Sequence, residues 1–118
     1  MIETNHKGTG YFIARQGDVI LLAAGSIPGD AKPVERDANR VVLAYGEVTG
    51  HAHAILDADA ELVEVKRTNE RFLRVLAEAG VTLSHEEHSA IVLPPGNYEV
   101  RIQREYDLAS GQVRNVQD

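Results

Sequence analysis

The chain has 118 residues, of which 43% are hydrophobic and 25% are charged, with a formal net charge of -6. This length and composition predict one globular domain whose core is large enough to form without disulfides or a structural metal. The absence of cysteine excludes disulfides and thiolate ligands. The negative net charge argues against nonspecific nucleic-acid binding. No apolar run has the length of a membrane span. We expect a cytoplasmic protein.

The first two thirds of the chain consists of short apolar runs separated by turn signals, a pattern typical of β-strands. Strands are predicted at residues 11–13, 19–24, 40–45 and 60–66. The pair Gly17-Asp18 predicts a turn between the first two runs, and we interpret Asp18 as a turn residue rather than a catalytic acid. Residues 28–30 (Pro-Gly-Asp) predict a loop, and Pro33 is expected to extend it.

A second pattern begins at the end of the third run, where larger side chains fall at every other position. These positions are Tyr45, Glu47, Thr49, His51 and His53. In one continuous strand all five would share a face. Gly46 and Gly50 allow another interpretation, a bulge or a turn, which would change which residues share that face.

Residues 68–80 are compatible with two structures. As a helix, this segment would carry an apolar stripe and end at Gly80. As a strand, residues 71–76 would pair with residues 60–66 in a hairpin. We favour the strand, because the segment lies among short strands and tertiary context often outweighs intrinsic propensity.

In the last third of the chain, residues 94–97 (Pro-Pro-Gly-Asn) predict a turn, and residues 98–106 alternate as in a half-buried strand. Many short strands with Gly and Pro turns predict an all-β domain of antiparallel strands, either a small barrel or a sandwich. The pattern also allows one short helix in this domain. The predicted division is a flexible lead-in, a single β domain and a surface tail, at residues 1–10, 11–107 and 108–118. Exposed strand edges would allow a homo-oligomer.

Four of the five histidines fall in two groups, residues 51–53 (His-Ala-His) and residues 85–88 (His-Glu-Glu-His). Imidazole is a common metal ligand and carries protons near neutral pH. Two strand residues separated by one position lie roughly 6–7 Å apart, which allows both rings to bind one ion. The predicted ligands of a divalent zinc, iron, nickel or manganese ion are His51, His53, His85 and His88.

Two functions follow from this grouping. In the first, the chain is a metal-dependent enzyme in which the ion activates water, with Glu47 or Glu87 relaying protons. In the second, it is a binding or assembly module whose histidines hold a structural ion or line an interface. The spacing of His85 and His88 is one residue short of the HExxH pattern of zinc proteases, and the pattern does not select a substrate class.

The order of a His-x-His pair, a later histidine and a Pro-Gly turn before a strand resembles the cupin superfamily of small β-barrels. Cupins have five residues between a glycine and the His-x-His pair, whereas four residues separate Gly46 from His51, and Glu61 is too distant for the cupin glutamate. This resemblance implies a ligand role for His51 and His53.

A second resemblance covers nearly the whole chain. The motifs RQGDV, GEVTGHAH, LSHEEH, LPPGNYEV and QREY are similar to those of a group of short uncharacterised bacterial and phage proteins. That resemblance implies no particular activity.

Overall fold

The computed structural model describes residues 12–46 and 48–103, so the predicted lead-in and surface tail lie outside the described residues. The described part contains ten strands. They are β1 (Phe12–Gln16), β2 (Val19–Ala24), β3 (Lys32–Pro33), β4 (Val41–Tyr45), β5 (Ala52–Ile55), β6 (Ala60–Val65), β7 (Glu70–Val75), β8 (Val81–Ser84), β9 (Ile91–Leu93) and β10 (Gly96–Ile102). None of the described residues forms a helix that is long and apolar enough to cross a membrane.

The strands form two antiparallel sheets that pack as a sandwich. The larger sheet has the order β1-β2-β10-β7-β6-β3, and the smaller sheet has the order β4-β5-β8-β9. The prediction of an all-β barrel or sandwich is therefore confirmed, in its sandwich form.

The main core lies between the two sheets. Leu21 and Leu73 of the larger sheet and Leu43 and Leu83 of the smaller sheet are fully buried in one apolar cluster. Burial of a leucine side chain stabilises a fold by about 1.5–3 kcal/mol, so this cluster holds the sheets together. The predicted alternation along β10 is also confirmed, since its apolar positions are buried while its charged positions are exposed or half-buried.

The ambiguous residues 68–80 contain a strand, as we favoured, and the possible helix is not formed. β7 pairs with β6 along its whole length. The chain reverses at Asn69, which has a φ of 65°. Burial of Leu73 and cross-strand pairing outweigh the helical propensity of the segment.

The continuous strand from Tyr45 to His53 is not formed. β4 ends at Tyr45, β5 begins at Ala52, and the two strands pair with each other. The chain reverses between them, with the Gly46 amide donating to the His51 carbonyl at 2.9 Å and with Gly50 at a φ of 91°. The turn that these two glycines allow is therefore the observed structure.

Prolines at two places in the chain lie in surroundings that differ from expectation. Pro33, expected in a loop, lies in β3, where it pairs with Val63 at the edge of the larger sheet. An edge strand tolerates proline because one side of the strand needs no hydrogen-bond donor. Pro94 and Pro95 carry the chain from β9 in the smaller sheet to β10 in the larger one.

The strand order brings the two histidine groups to the same end of the smaller sheet. The first group follows the β4–β5 turn, and the second lies in the β8–β9 connection. Because β5 and β8 are antiparallel, the start of β5 lies beside the end of β8. We call this the histidine end. The opposite end, where residues 56–59, 76–80 and 94–95 carry the chain between the sheets, is the crossover end.

Candidate functional site

The four predicted histidines form one cluster of rings at the histidine end. His85 lies at its centre, with ring centroids 4.3 Å from His53, 4.7 Å from His88 and 5.8 Å from His51. The pairing of Ala54 with Ser84 explains this contact, because the same register continued by one residue places His53 opposite His85. The two groups predicted from the sequence thus lie together in space.

The outer part of the cluster contains a candidate set of metal donors. His51, His85 and Glu86 each offer one ligand atom, and the three atoms lie within 4.8 Å of one another. We call these residues the outer set. Glu86 also accepts a hydrogen bond from the Ala52 amide at 2.9 Å. This bond, together with a backbone bond at Glu86 itself and the nearby histidines, lowers the pKa of Glu86 below its ordinary value, so its side chain is a carboxylate at neutral pH.

Glu87, one of the two predicted proton relays, lies beside the outer set. One of its carboxylate oxygens, Oε2, is 3.6 Å from His51 Nδ1, and the side chain is 57% exposed. Its amide donates to His85 Nδ1 at 3.0 Å, so a neutral His85 carries its hydrogen on Nε2. Glu47, the other predicted relay, lies outside the described residues.

The inner part of the cluster is organised by Gln16, at the end of β1. Its Nε2 donates to the carbonyls of Leu83 at 3.0 Å and Ser89 at 2.9 Å, which uses both of its hydrogens. Its Oε1 therefore accepts from His53 Nδ1, at 2.8 Å. In a neutral His53 ring the lone pair is then on Nε2, so Nε2 is the ring nitrogen that could bind a metal ion.

Asp18, in the β1–β2 turn, reaches the same buried ring. The residue is 4% exposed, and its Oδ1 lies 3.6 Å from His53 Nε2. The backbone of Asp18 lies in the turn, as predicted, and its side chain reaches the histidine cluster. Sequence reasoning missed this role of Asp18 and of Gln16, because polar residues beside a Gly-Asp turn are usually exposed.

A pocket of about 260 Å³ adjoins the outer set. Ala52, Ala54, His85 and Glu86 are among the residues that line it. Arg40 is the one positively charged residue among the lining side chains.

A family model described as "Domain of unknown function (DUF8820)" matches residues 15–103. The chain belongs to this family. The matched segment of this DUF8820 domain includes the whole histidine cluster together with Gln16 and Asp18. Comparisons with curated proteins and with solved structures gave no significant match.

Two ring nitrogens of the DUF8820 domain are buried and unsatisfied in the described part of the chain. Nε2 of His85 and Nε2 of His88 are buried and have no hydrogen-bond partner among residues 12–46 and 48–103. Leaving a buried polar group without a partner costs about 1–3 kcal/mol. Such groups in a native protein require an explanation, and a bound ion between the histidines provides one.

Proposed function

We propose that this domain binds a divalent first-row transition-metal ion through His51, His85 and Glu86. The observation that carries the proposal is the convergence of three donor atoms within 4.8 Å. Two imidazoles and a carboxylate suit zinc, iron, nickel or manganese, and three protein ligands leave a position for water or a substrate. The buried Nε2 of His85 supports the same assignment, because coordination would supply the partner that this nitrogen lacks in the described residues.

His85 must change its hydrogen bonding to bind the ion through Nε2. The hydrogen on Nε2 has to move to Nδ1, and the Glu87 amide then loses its acceptor. In a neutral His85 this is a change of tautomer with no net release of a proton, and it rearranges the turn that follows β8. We expect the NMR signal of the Glu87 amide to shift as the metal is added.

Isothermal titration of the chelator-stripped chain with Zn²⁺ tests the proposal. His85→Ala and Glu86→Gln should each weaken binding by about 100-fold, since each removes a direct ligand. Glu61→Gln is the matched control, because Glu61 is a partly exposed carboxylate that pairs with Arg74 instead. Equal Zn²⁺ binding by all three variants would contradict the proposed ligand set.

The pocket beside the outer set indicates what an enzymatic version of this site would act on. An ion there would lower the pKa of a bound water. Glu87, which lies beside His51, would relay the proton of that water, and it is the one of the two predicted relays that lies within the described residues. Arg40 would attract a negatively charged group, so we propose a small anionic substrate.

Binding of inorganic phosphate and of succinate to the Zn²⁺-loaded chain, followed by NMR, tests this enzymatic version. Arg40→Gln should abolish the shifts, while Arg67→Gln, which removes an exposed cation paired with Asp30, should not. If neither anion binds and Zn²⁺ strongly raises the melting temperature, the ion is structural, as in a binding or assembly module. The homo-oligomer stays a prediction, which sedimentation with and without Zn²⁺ would check.

A further inference from the structure

The pocket beside the outer set extends along β5 and the residue that follows this strand. Ala52, Ala54 and Leu56, which are alternate residues of the chain, all line it. Successive residues of an extended segment are about 3.3 Å apart, so positions 52 and 56 are separated by roughly 13 Å. The pocket therefore has two ends, and different groups lie at each of them.

The end of the pocket near Ala52 contains the outer set. The Ala52 amide donates to the Glu86 carboxylate at 2.9 Å. His85 and Glu86 both line the pocket. An ion held by the outer set would therefore be within reach of a ligand that occupies the pocket.

The end of the pocket near Leu56 contains its positive charge. The register of β4 with β5, continued by one residue, places Arg40 opposite Leu56. The Nε of Arg40 donates to the Asp37 carbonyl at 3.3 Å, but within the described residues its guanidinium forms no salt bridge with a carboxylate. The Asp37 carboxylate accepts from the Tyr45 hydroxyl instead. Arg40 is therefore available to bind an anionic group.

The part of the pocket between these two ends is mainly apolar. The methyl groups of Ala52 and Ala54 line it, and the Ser84 hydroxyl uses its hydrogen within the chain by donating to the Ala54 carbonyl at 3.2 Å. Leu56 is 66% exposed beside Arg40. Covering such a surface with an aliphatic chain is favourable, because it removes apolar area from water.

We infer that the pocket binds an aliphatic carboxylate that carries an oxygen donor at its other end. The carboxylate would pair with Arg40, the chain would cover Ala54 and Leu56, and the second group would reach the ion. This inference rests on the proposed function for the ion end. It narrows the small anionic substrate to an elongated one, such as a dicarboxylate or its monoester or monoamide.

A series of dicarboxylates of increasing length tests the inference. Succinate, adipate, suberate and sebacate are titrated into the Zn²⁺-loaded full chain by calorimetry. Each added methylene should raise the affinity about two- to fourfold, so sebacate, which is about as long as the pocket, should bind about 100-fold more tightly than succinate. Equal affinities along the series would overturn the inference.

Leu56→Thr tests whether the aliphatic chain lies along the pocket. It should remove most of the increase in affinity from succinate to sebacate, because it removes apolar surface from the proposed path. Leu76→Thr is the matched control, since Leu76 is similarly exposed, at 62%, and is not among the residues that line the pocket. The same length dependence in both variants would contradict the proposed path.

Arg40→Gln tests the anionic end. The wild-type chain should prefer sebacate to octanoate, which lacks the second carboxylate, by about tenfold or more. Arg40→Gln should lose this preference. Arg67→Gln, which changes an exposed arginine paired with Asp30, should keep it. A preference for sebacate that survives in Arg40→Gln would show that another group binds the carboxylate.

The Zn²⁺ affinity of each variant separates this inference from the proposed function. Arg40→Gln and Leu56→Thr should bind Zn²⁺ as the wild-type chain does, because neither residue belongs to the outer set. If Zn²⁺ binds but longer dicarboxylates gain no affinity, the inference fails and the ion stands. If Zn²⁺ does not bind, the proposed function fails. Octanoate binding to the metal-free chain, weakened by both variants, would then still support the anionic and apolar parts of the pocket.

Discussion

At the crossover end of the smaller sheet, polar groups are paired within the chain, whereas at the histidine end two buried imidazole nitrogens lack a partner in the described residues. At the crossover end, the Tyr98 hydroxyl donates to the Pro94 carbonyl, and Arg36 donates to the carbonyls of Asp57 and Ala60. The two ends thus differ in how fully their polar groups are hydrogen-bonded. The unsatisfied nitrogens of the histidine end lower the stability of the fold, which is the pattern that the proposed binding site would require.

Gln16→Leu should have the largest effect on this comparison. It removes the donor of two carbonyls and the acceptor of His53 Nδ1. We expect a loss of about 2–4 kcal/mol in the free energy of unfolding, roughly 10 °C in Tm. Urea denaturation of the metal-free chain measures it. Gln103→Leu, which removes only an acceptor of the exposed Arg15, should cost under about 0.5 kcal/mol.

Gly46→Ala tests how closely the outer set is packed. A Cβ at this position would lie 3.1 Å from His51 Cβ and 3.4 Å from His85 Nε2. We expect a destabilisation of about 1–2 kcal/mol and weaker Zn²⁺ binding, because the two histidines must move apart. Gly25→Ala is the control, since nothing lies within 4 Å of its added Cβ. An alanine at 46 with wild-type affinity would show that the packing of this turn is irrelevant to the ion.

His88→Leu and Tyr98→Phe should change stability in opposite directions. The first removes a buried nitrogen that lacks a partner in the described residues, so the metal-free chain should gain up to about 1 kcal/mol. The second removes the hydrogen bond to Pro94 and should lose about 1 kcal/mol. Paired urea titrations measure both. If His88→Leu is the more damaging of the two, the histidine end is as internally satisfied as the crossover end.

The smallest expected effect is on the pH dependence at the crossover end. Burial raises the pKa of Tyr98 above its ordinary value of 10.0, because it disfavours the phenolate. The stability linked to this group is complete below pH 10 and is lost as the pH rises through the higher pKa of the folded state. Unfolding curves between pH 9 and pH 11 should therefore fall more steeply for the wild-type chain than for Tyr98→Phe. Parallel curves would contradict the assignment.

Much of the fold could be predicted from local patterns. The apolar runs and turn residues indicated the strands, and the hairpin β6–β7 followed from the neighbouring strands despite a helical propensity. Between Tyr45 and His53 the sequence left a continuous strand and a turn open, and the structure contains the turn. Alternation continues in the sequence through a turn, so only the backbone freedom of Gly46 and Gly50 signalled the reversal.

The site was predictable in part, for a similar reason. Histidine grouping indicated which imidazoles to consider, but the carboxylates depended on register. Glu86, rather than Glu87, belongs to the outer set, because the β5–β8 pairing places it beside the Ala52 amide. Asp18 comes from the other sheet, and nothing near it in the sequence indicates that its side chain is buried.

By itself the sequence determined the class of fold and the kinds of atoms available at the site, since strand patterns and residue types are local properties. Only the tertiary structure decided which of those atoms meet. The distance between His53 and Asp18 depends on how two sheets pack and on one glutamine that bridges them. Contacts between residues distant in the chain arise from packing and register, which no short stretch of sequence specifies.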